Sequence, residues 1–309
     1  MTSRRTRIFR PPTGPWRVHV ALGAAQTGFA LFPTLGKLAL TSMPPLALSA
    51  LRVACAALML ESVRRLSRAQ KLEPGDRKRV FLYGLLGVSL NQVLFILGLS
   101  MTTAINATIL TATIPVFTLG VAVLMKRESL TASSAAGVLL AGAGALVLVN
   151  VHHFDWQSRY VRGDLLLLGN ALAYSLYLVL SRPILGHYRV LTIVSRVFAY
   201  GAPPILLVAL PTLLRFSPAA VTAVSWASLS GVVVVCTVVP YVLSSWALAR
   251  TGASRVAVYV FLQPLLASAL AILVLKERLA LRTVVAGGLI LAGLAVSLAR
   301  PRLPAEEVA

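Results

Sequence analysis

Residues 102–149, TTAINATILTATIPVFTLGVAVLMKRESLTASSAAGVLLAGAGALVLV, decide how the chain is read. They form an apolar segment with a proline in its middle, a short charged link, and a second apolar segment rich in Gly and Ala. The pattern returns at 251–299, TGASRVAVYVFLQPLLASALAILVLKERLALRTVVAGGLILAGLAVSLA. A shift of 149 positions pairs Thr102 with Thr251, Pro115 with Pro264, Glu128 with Glu277 and Gly144 with Gly293. In both copies the glutamate follows the proline by 13 positions. Recurrence of a whole hairpin implies an internal duplication. The opening helices of each half also correspond, with a shift of 144 that pairs Gln26 with Asn170 and Arg52 with Arg196.

The rest of the chain has the same character. It is 58% hydrophobic and 12% charged, with mean hydropathy +0.83. A soluble domain carries about 25% charge, so the composition predicts a polytopic membrane protein. The net charge of +20 raises the question of nucleic acid. Most Lys and Arg sit in links between apolar runs, as membrane topology requires, and no basic face is interleaved with aromatics. Nucleic acid is therefore not an expected partner; the bilayer and a small-molecule substrate are. Cys55 and Cys236 lie inside apolar runs and read as packing residues. No metal-ligand cluster or cofactor motif is present, and no cofactor is expected. The run after the basic N-terminus is too long for a signal peptide and reads as a retained first helix.

A span needs about 20 mainly apolar residues. Ten are expected, at 18–40, 45–63, 79–99, 104–125, 131–149, 163–181, 190–210, 225–248, 253–275 and 280–298. The expected organisation is a basic cytoplasmic tail (1–17), a five-helix repeat (18–149), an extracytoplasmic linker (150–162), a second five-helix repeat (163–299) and a cytoplasmic tail (300–309). With both termini cytoplasmic, the inner segments hold 20 of the 29 Lys and Arg and the outer links six. Five helices is an odd number, so the second repeat inserts upside down relative to the first. Inverted repeats place a substrate near the midplane between them, with access alternating by rocking.

Each half carries a proline-containing fourth helix running into KRESLT or KERLA and then a Gly-rich helix. With GLSMTTAINATILTATIPVF, ALARTGASRVAVYVFLQPLL and GDLLLLGNALAYSLYLVLSR, the chain resembles paired EamA domains of the drug/metabolite transporter superfamily over residues 18–299. AQTGFALFPTLGKLAL, LRVACAALML and NQVLFILGLSMTTA are also similar to plant amino-acid and auxin exporters of that superfamily. The resemblance implies a multi-pass transporter of the cytoplasmic or inner membrane. It leans towards export of amino acids.

Ionisable residues within spans default to function, and Arg52 and Arg196 are the clear cases. Either could attract a carboxylate or phosphate, or snorkel and cap helix carbonyls. Gln26, Asn91, Gln92, Asn170 and Gln263, with Tyr174 and Tyr259, complete the candidate substrate-binding set, although Asn and Gln can also simply tie helices together. Inverted symmetry would bring Gln26 and Asn170 to one level of a central cavity. Pro115 and Pro264 free the carbonyls of Thr111 and Val260, as cavity-lining hinges or static kinks. Glu128 and Glu277, at helix ends beside Lys or Arg, read as structural caps. The small residues of the fifth and tenth helices suit close packing or a dimer face, so a monomer or a homodimer is open.

All nine acids are expected at helix ends or in links, leaving no buried carboxylate as a proton relay. The reading is a secondary transporter, an exporter of small organic metabolites with amino acids or related carboxylates favoured. The alternatives are drug efflux, a lipid-carrier flippase or a membrane enzyme. The Arg-bearing, acid-free cavity argues against cationic drugs. An enzyme would need a clustered acid, His or metal set.

Overall fold

A computed structural model describes residues 15–127, 132–149 and 158–298. Glu128 and most of the expected linker and tails lie outside these residues. The described chain is helical in ten rods: α1 (Pro15–Ala39), α2 (Pro45–Leu66), α3 (Pro74–Met101), α4 (Ala104–Leu124), α5 (Ala132–Val149), α6 (Arg159–Ser181), α7 (Val190–Leu214), α8 (Ala223–Leu248), α9 (253–275) and α10 (Leu281–Leu298). Seven are long and apolar enough to cross a membrane. Three apolar helices are shorter: Ala135–Gly144, Leu262–Leu275 and Leu281–Gly293. The surface is apolar where soluble proteins are polar, with Leu58, Leu207, Leu265 and Leu273 about two-thirds exposed. A surface of this kind fits lipid rather than water.

The packing is reciprocal between the halves. α1 lies against α8 and α9, and α6 lies against α3 and α4. α2 pairs with α7, and α5 with α10. Small residues permit the last contact: a Cβ on Gly144 would come within 2.8 Å of the Ala286 carbonyl. This intramolecular face is the close-packing use expected of that stripe.

Two irregularities recur at equivalent places. α3 contains a π-helical turn at Leu85–Leu90 and α8 another at Val234–Val238. Such bulges free backbone groups from the regular ladder and commonly mark functional sites. Each is packed by a helix of the other half: a Cβ on Gly28 of α1 would come within 2.5 Å of the Val235 carbonyl, and one on Gly87 of α3 within 2.6 Å of the Tyr177 ring of α6. The prolines give the second irregularity. α4 ends its first segment at Thr111 and restarts at Ile114, beside Pro115. α9 passes through a 3-10 turn, Tyr259–Phe261, just before Pro264.

Matching cation-to-carbonyl contacts also recur. Lys37, near the end of α1, donates its ammonium to the Thr102 carbonyl ahead of α4. Arg182, after α6, donates Nε to the Thr251 carbonyl ahead of α9 at 3.0 Å.

Candidate functional site

The reciprocal packing leaves a cavity lined on α1 by Phe29 and Phe32 and on α2 by Arg52. Asn91, Gln92 and Phe95 come from α3, Thr111 and Ile114 from the break in α4, and Asn170 and Tyr174 from α6. Tyr241 of α8 and Gln263 of α9 complete the wall.

Arg52 dominates it. The residue is 2% exposed. Its Nε donates to Thr237 Oγ1 at 2.6 Å, and its guanidinium carbon lies 3.7 Å from the centroid of the Phe32 ring. Thr237 belongs to the π-helical turn of α8 and in turn donates to the Val232 carbonyl at 2.7 Å. The acceptor for Arg52 is therefore fixed by the bulge itself. Phe32 is backed by Phe95, stacked at 4.6 Å. A desolvated cation–π contact is worth about 2 kcal/mol, which helps hold the charge but does not neutralise it. Among the described residues, no hydrogen-bond acceptor meets either terminal nitrogen, Nη1 or Nη2.

Around it the polar groups are ordered. Gln92 Nε2 donates to the Tyr241 hydroxyl at 2.9 Å, and that hydroxyl lies 2.8 Å from the Gly87 carbonyl and 3.2 Å from Asn91 Oδ1. Asn170 Nδ2 donates to the Asn91 carbonyl at 2.8 Å. The Gly87 and Asn91 carbonyls lie in and beside the π turn of α3, where the ladder is loosened. Phe29, Tyr174 and Tyr241 meet edge-on with centroids 5.7–6.5 Å apart.

Arg52, Asn91, Gln92, Asn170, Tyr174 and Gln263 are thus brought together. Gln26 is buried beside this wall and accepts from Gln263 Nε2. Tyr259 sits apart, its hydroxyl against His19 Nδ1. Arg196 also lies away from the cavity, 3.5 Å from Glu61 of α2. The sequence reading had no acid available for a buried Arg. α2 and α7 are neighbours, so Glu61, near the end of one, stands level with Arg196, early in the other. Glu61 also holds Arg64 at 2.7 Å and Arg65 at 2.9 Å.

Glu277 reaches across to the other half. Its carboxylate accepts from the Ala104 and Ile105 amides at 2.8 and 3.0 Å, capping the start of α4. The expectation that every acid sits at a helix end or in a link is corrected for Asp164. α6 begins at Arg159, earlier than expected, and carries Asp164 inside, where it is 2% exposed. Phe29, Phe32, Phe95 and Thr237 were not among the candidate residues. Aromatic residues in an apolar run look like packing, and a π turn leaves no mark in composition.

Comparison with known proteins agrees in one direction. Residues 17–150 and 161–299 each match the EamA-like transporter family. Two relatives from Archaeoglobus fulgidus are both described as an uncharacterized transporter. One is 31% identical over 69% of this chain and 73% of its own length. The other is 25% identical over 89% and 96%. A solved crystal structure, titled only as that of a protein, shares the fold with a TM-score of 0.66 at 19% identity, covering 91% of this chain and 96% of its own.

Proposed function

The chain belongs to the EamA-like transporter family, and from that premise we propose that it is a secondary transporter exporting small carboxylated metabolites, amino acids among them, across the cytoplasmic membrane. We read the ten rods as spans of two inverted five-helix repeats with both termini cytoplasmic. Reciprocal packing, recurring π turns and the paired Lys37 and Arg182 contacts support that reading. The cavity between the halves is where an inverted-repeat transporter holds its substrate.

One observation carries the substrate class: Arg52, buried in the cavity wall, presents terminal nitrogens that meet no acceptor among the described residues. A buried cation is costly until it is paired. A substrate carboxylate would accept from both nitrogens in the bidentate geometry that Arg favours. Gln92, Asn170 and Gln263 offer hydrogen bonds to the rest of a zwitterion, and the aromatic ring cluster covers its apolar part. When the site opens to water, the higher dielectric weakens the ion pair and lets the substrate leave. Neither drug efflux nor a lipid flippase draws a comparable observation from this cavity.

The test is uptake of radiolabelled metabolites into proteoliposomes across a panel of carboxylates and matched neutral analogues. Preference for neutral or cationic compounds would sink the assignment. Topology is tested on a cysteine-free background by single cysteines at positions 70, 158 and 218. Position 70 should label from the cytoplasmic face and the other two from outside. Finding 70 and 158 on one face would rule out the inverted model.

A further inference from the structure

We propose that Asp164 is a proton-binding group that couples transport to a pH gradient. The coupling rests on the transporter reading; the proton site does not. Asp164 is buried, and its Oδ1 has no hydrogen-bond partner among the described residues. The Thr102 hydroxyl is the neighbouring group placed to act on the carboxylate. A buried polar atom left without a partner is costly, and a proton on the carboxylate removes the charge that makes it so. A metal cation would need several oxygen ligands, whereas Thr102 supplies the hydroxyl that the structure sets against this carboxylate.

Thr102 is the joint between α3 and α4, with extended backbone between two helical segments. Its hydroxyl also lies 3.4 Å from Asn106 Nδ2, and its carbonyl receives Lys37 of α1. Just beyond it, the first amides of α4 are held by Glu277 of α9. Asp164 of α6 therefore touches the point where helices of both halves are tied together.

The charged surroundings are few. Arg282 of α10 acts on the carboxylate directly. Lys37 and Glu277 bond to the other side of the joint. On its own helix, Arg159 is committed to the Ser100 carbonyl and Arg162 lies half a turn before Asp164. The adjoining ends of α3 and α4 present hydroxyls and amides, and α5 carries no titratable residue within 132–149.

As a carboxylate, Asp164 accepts from Thr102. On taking a proton from water it becomes a donor, and the Thr102 hydroxyl must turn. The Lys37 contact that ties α1 to the joint then loosens, and the proton returns to water on the other side once the joint has moved.

The full-length protein in lipid, labelled with 13C-aspartate, is titrated by infrared spectroscopy. The expected result is an aspartic-acid carbonyl band that changes with pH and is lost in Asp164→Asn. Should that variant fail to fold, Thr102→Ala, which removes the hydroxyl partner, should shift the titration of the same band. No such band, or one that follows sodium rather than pH, overturns the site. This measurement needs no substrate, so its failure leaves the proposed transport function standing. With a substrate from the metabolite panel, Asp164→Asn should keep counterflow and lose accumulation driven by a pH gradient. Retained gradient-driven accumulation overturns the coupling.

Discussion

Arg52 and Arg196 occupy corresponding positions on the second helix of each half, yet their surroundings have little in common. Arg52 is buried in a cavity wall, braced by a hydroxyl and an aromatic ring, with no acid paired to it among the described residues. Arg196 is partly exposed and shares Glu61 with two other arginines. Duplication supplied the same cation twice; the residues later placed opposite it separated the roles. Where the first half has Glu61, the second has Ile205, and where Arg52 finds Thr237, the corresponding place beside Arg196 is Val88. An internal repeat thus transfers position, while the partner residue decides whether a charge is stored or offered.

The sharpest way to break this contrast is to neutralise each arginine in turn. Arg52→Gln should raise the half-saturating concentration for carboxylated substrates about tenfold to a hundredfold, the loss of a charge-assisted hydrogen bond worth roughly 1.5–3 kcal/mol. Neutral analogues should change little, and Arg196→Gln should change either class far less. Equal losses in the two variants, read from concentration-dependent uptake, would erase the distinction. A smaller effect is expected one residue further out. Thr237→Val removes the acceptor that orients Arg52, about 1 kcal/mol and so roughly a fivefold weakening confined to carboxylates. Glu61→Gln tests the other side: it strands Arg196 and Arg64, and thermal unfolding in detergent should fall by a few degrees, about 1 kcal/mol for such a network. Transport per folded molecule should be unchanged; a fall in it would show that Arg196 also serves substrate. The smallest expected change in transport is for Glu277→Gln, which should lower folded yield by weakening the cap on α4, about 1 kcal/mol or less. Transport lost at normal yield and melting temperature would return Glu277 to a working role.

The helices were legible because apolar runs of membrane length are separated by short charged links, so each boundary is marked twice. The pairing of Thr102 with Thr251 and of Pro115 with Pro264 showed the repeat before any coordinates. The site was legible where it uses residues that are conspicuous in an apolar run, such as Arg52, Asn91, Gln92 and Asn170. It was opaque where function falls to residues that belong in such a run. Phe32 beneath Arg52 reads as a lipid-facing or core residue until α1 and α2 are in place. Thr237 is one hydroxyl among many until the π turn aims it. Asp164 was misplaced because two arginines at the start of α6 read as a link, although the helix already includes them.

The bond between Gln92 and Tyr241 joins positions 149 apart, so the repeat maps each of its ends onto the other. In the proposed inverted arrangement such a contact would lie on the rotation axis relating the halves. Were the halves to exchange conformations as proposed, every off-axis contact would be traded for its counterpart, but a contact on the axis would have no counterpart to trade with. An amide facing a phenol can also exchange donor and acceptor without separating. On the proposed cycle this polar pair would be a fulcrum that needs no remaking.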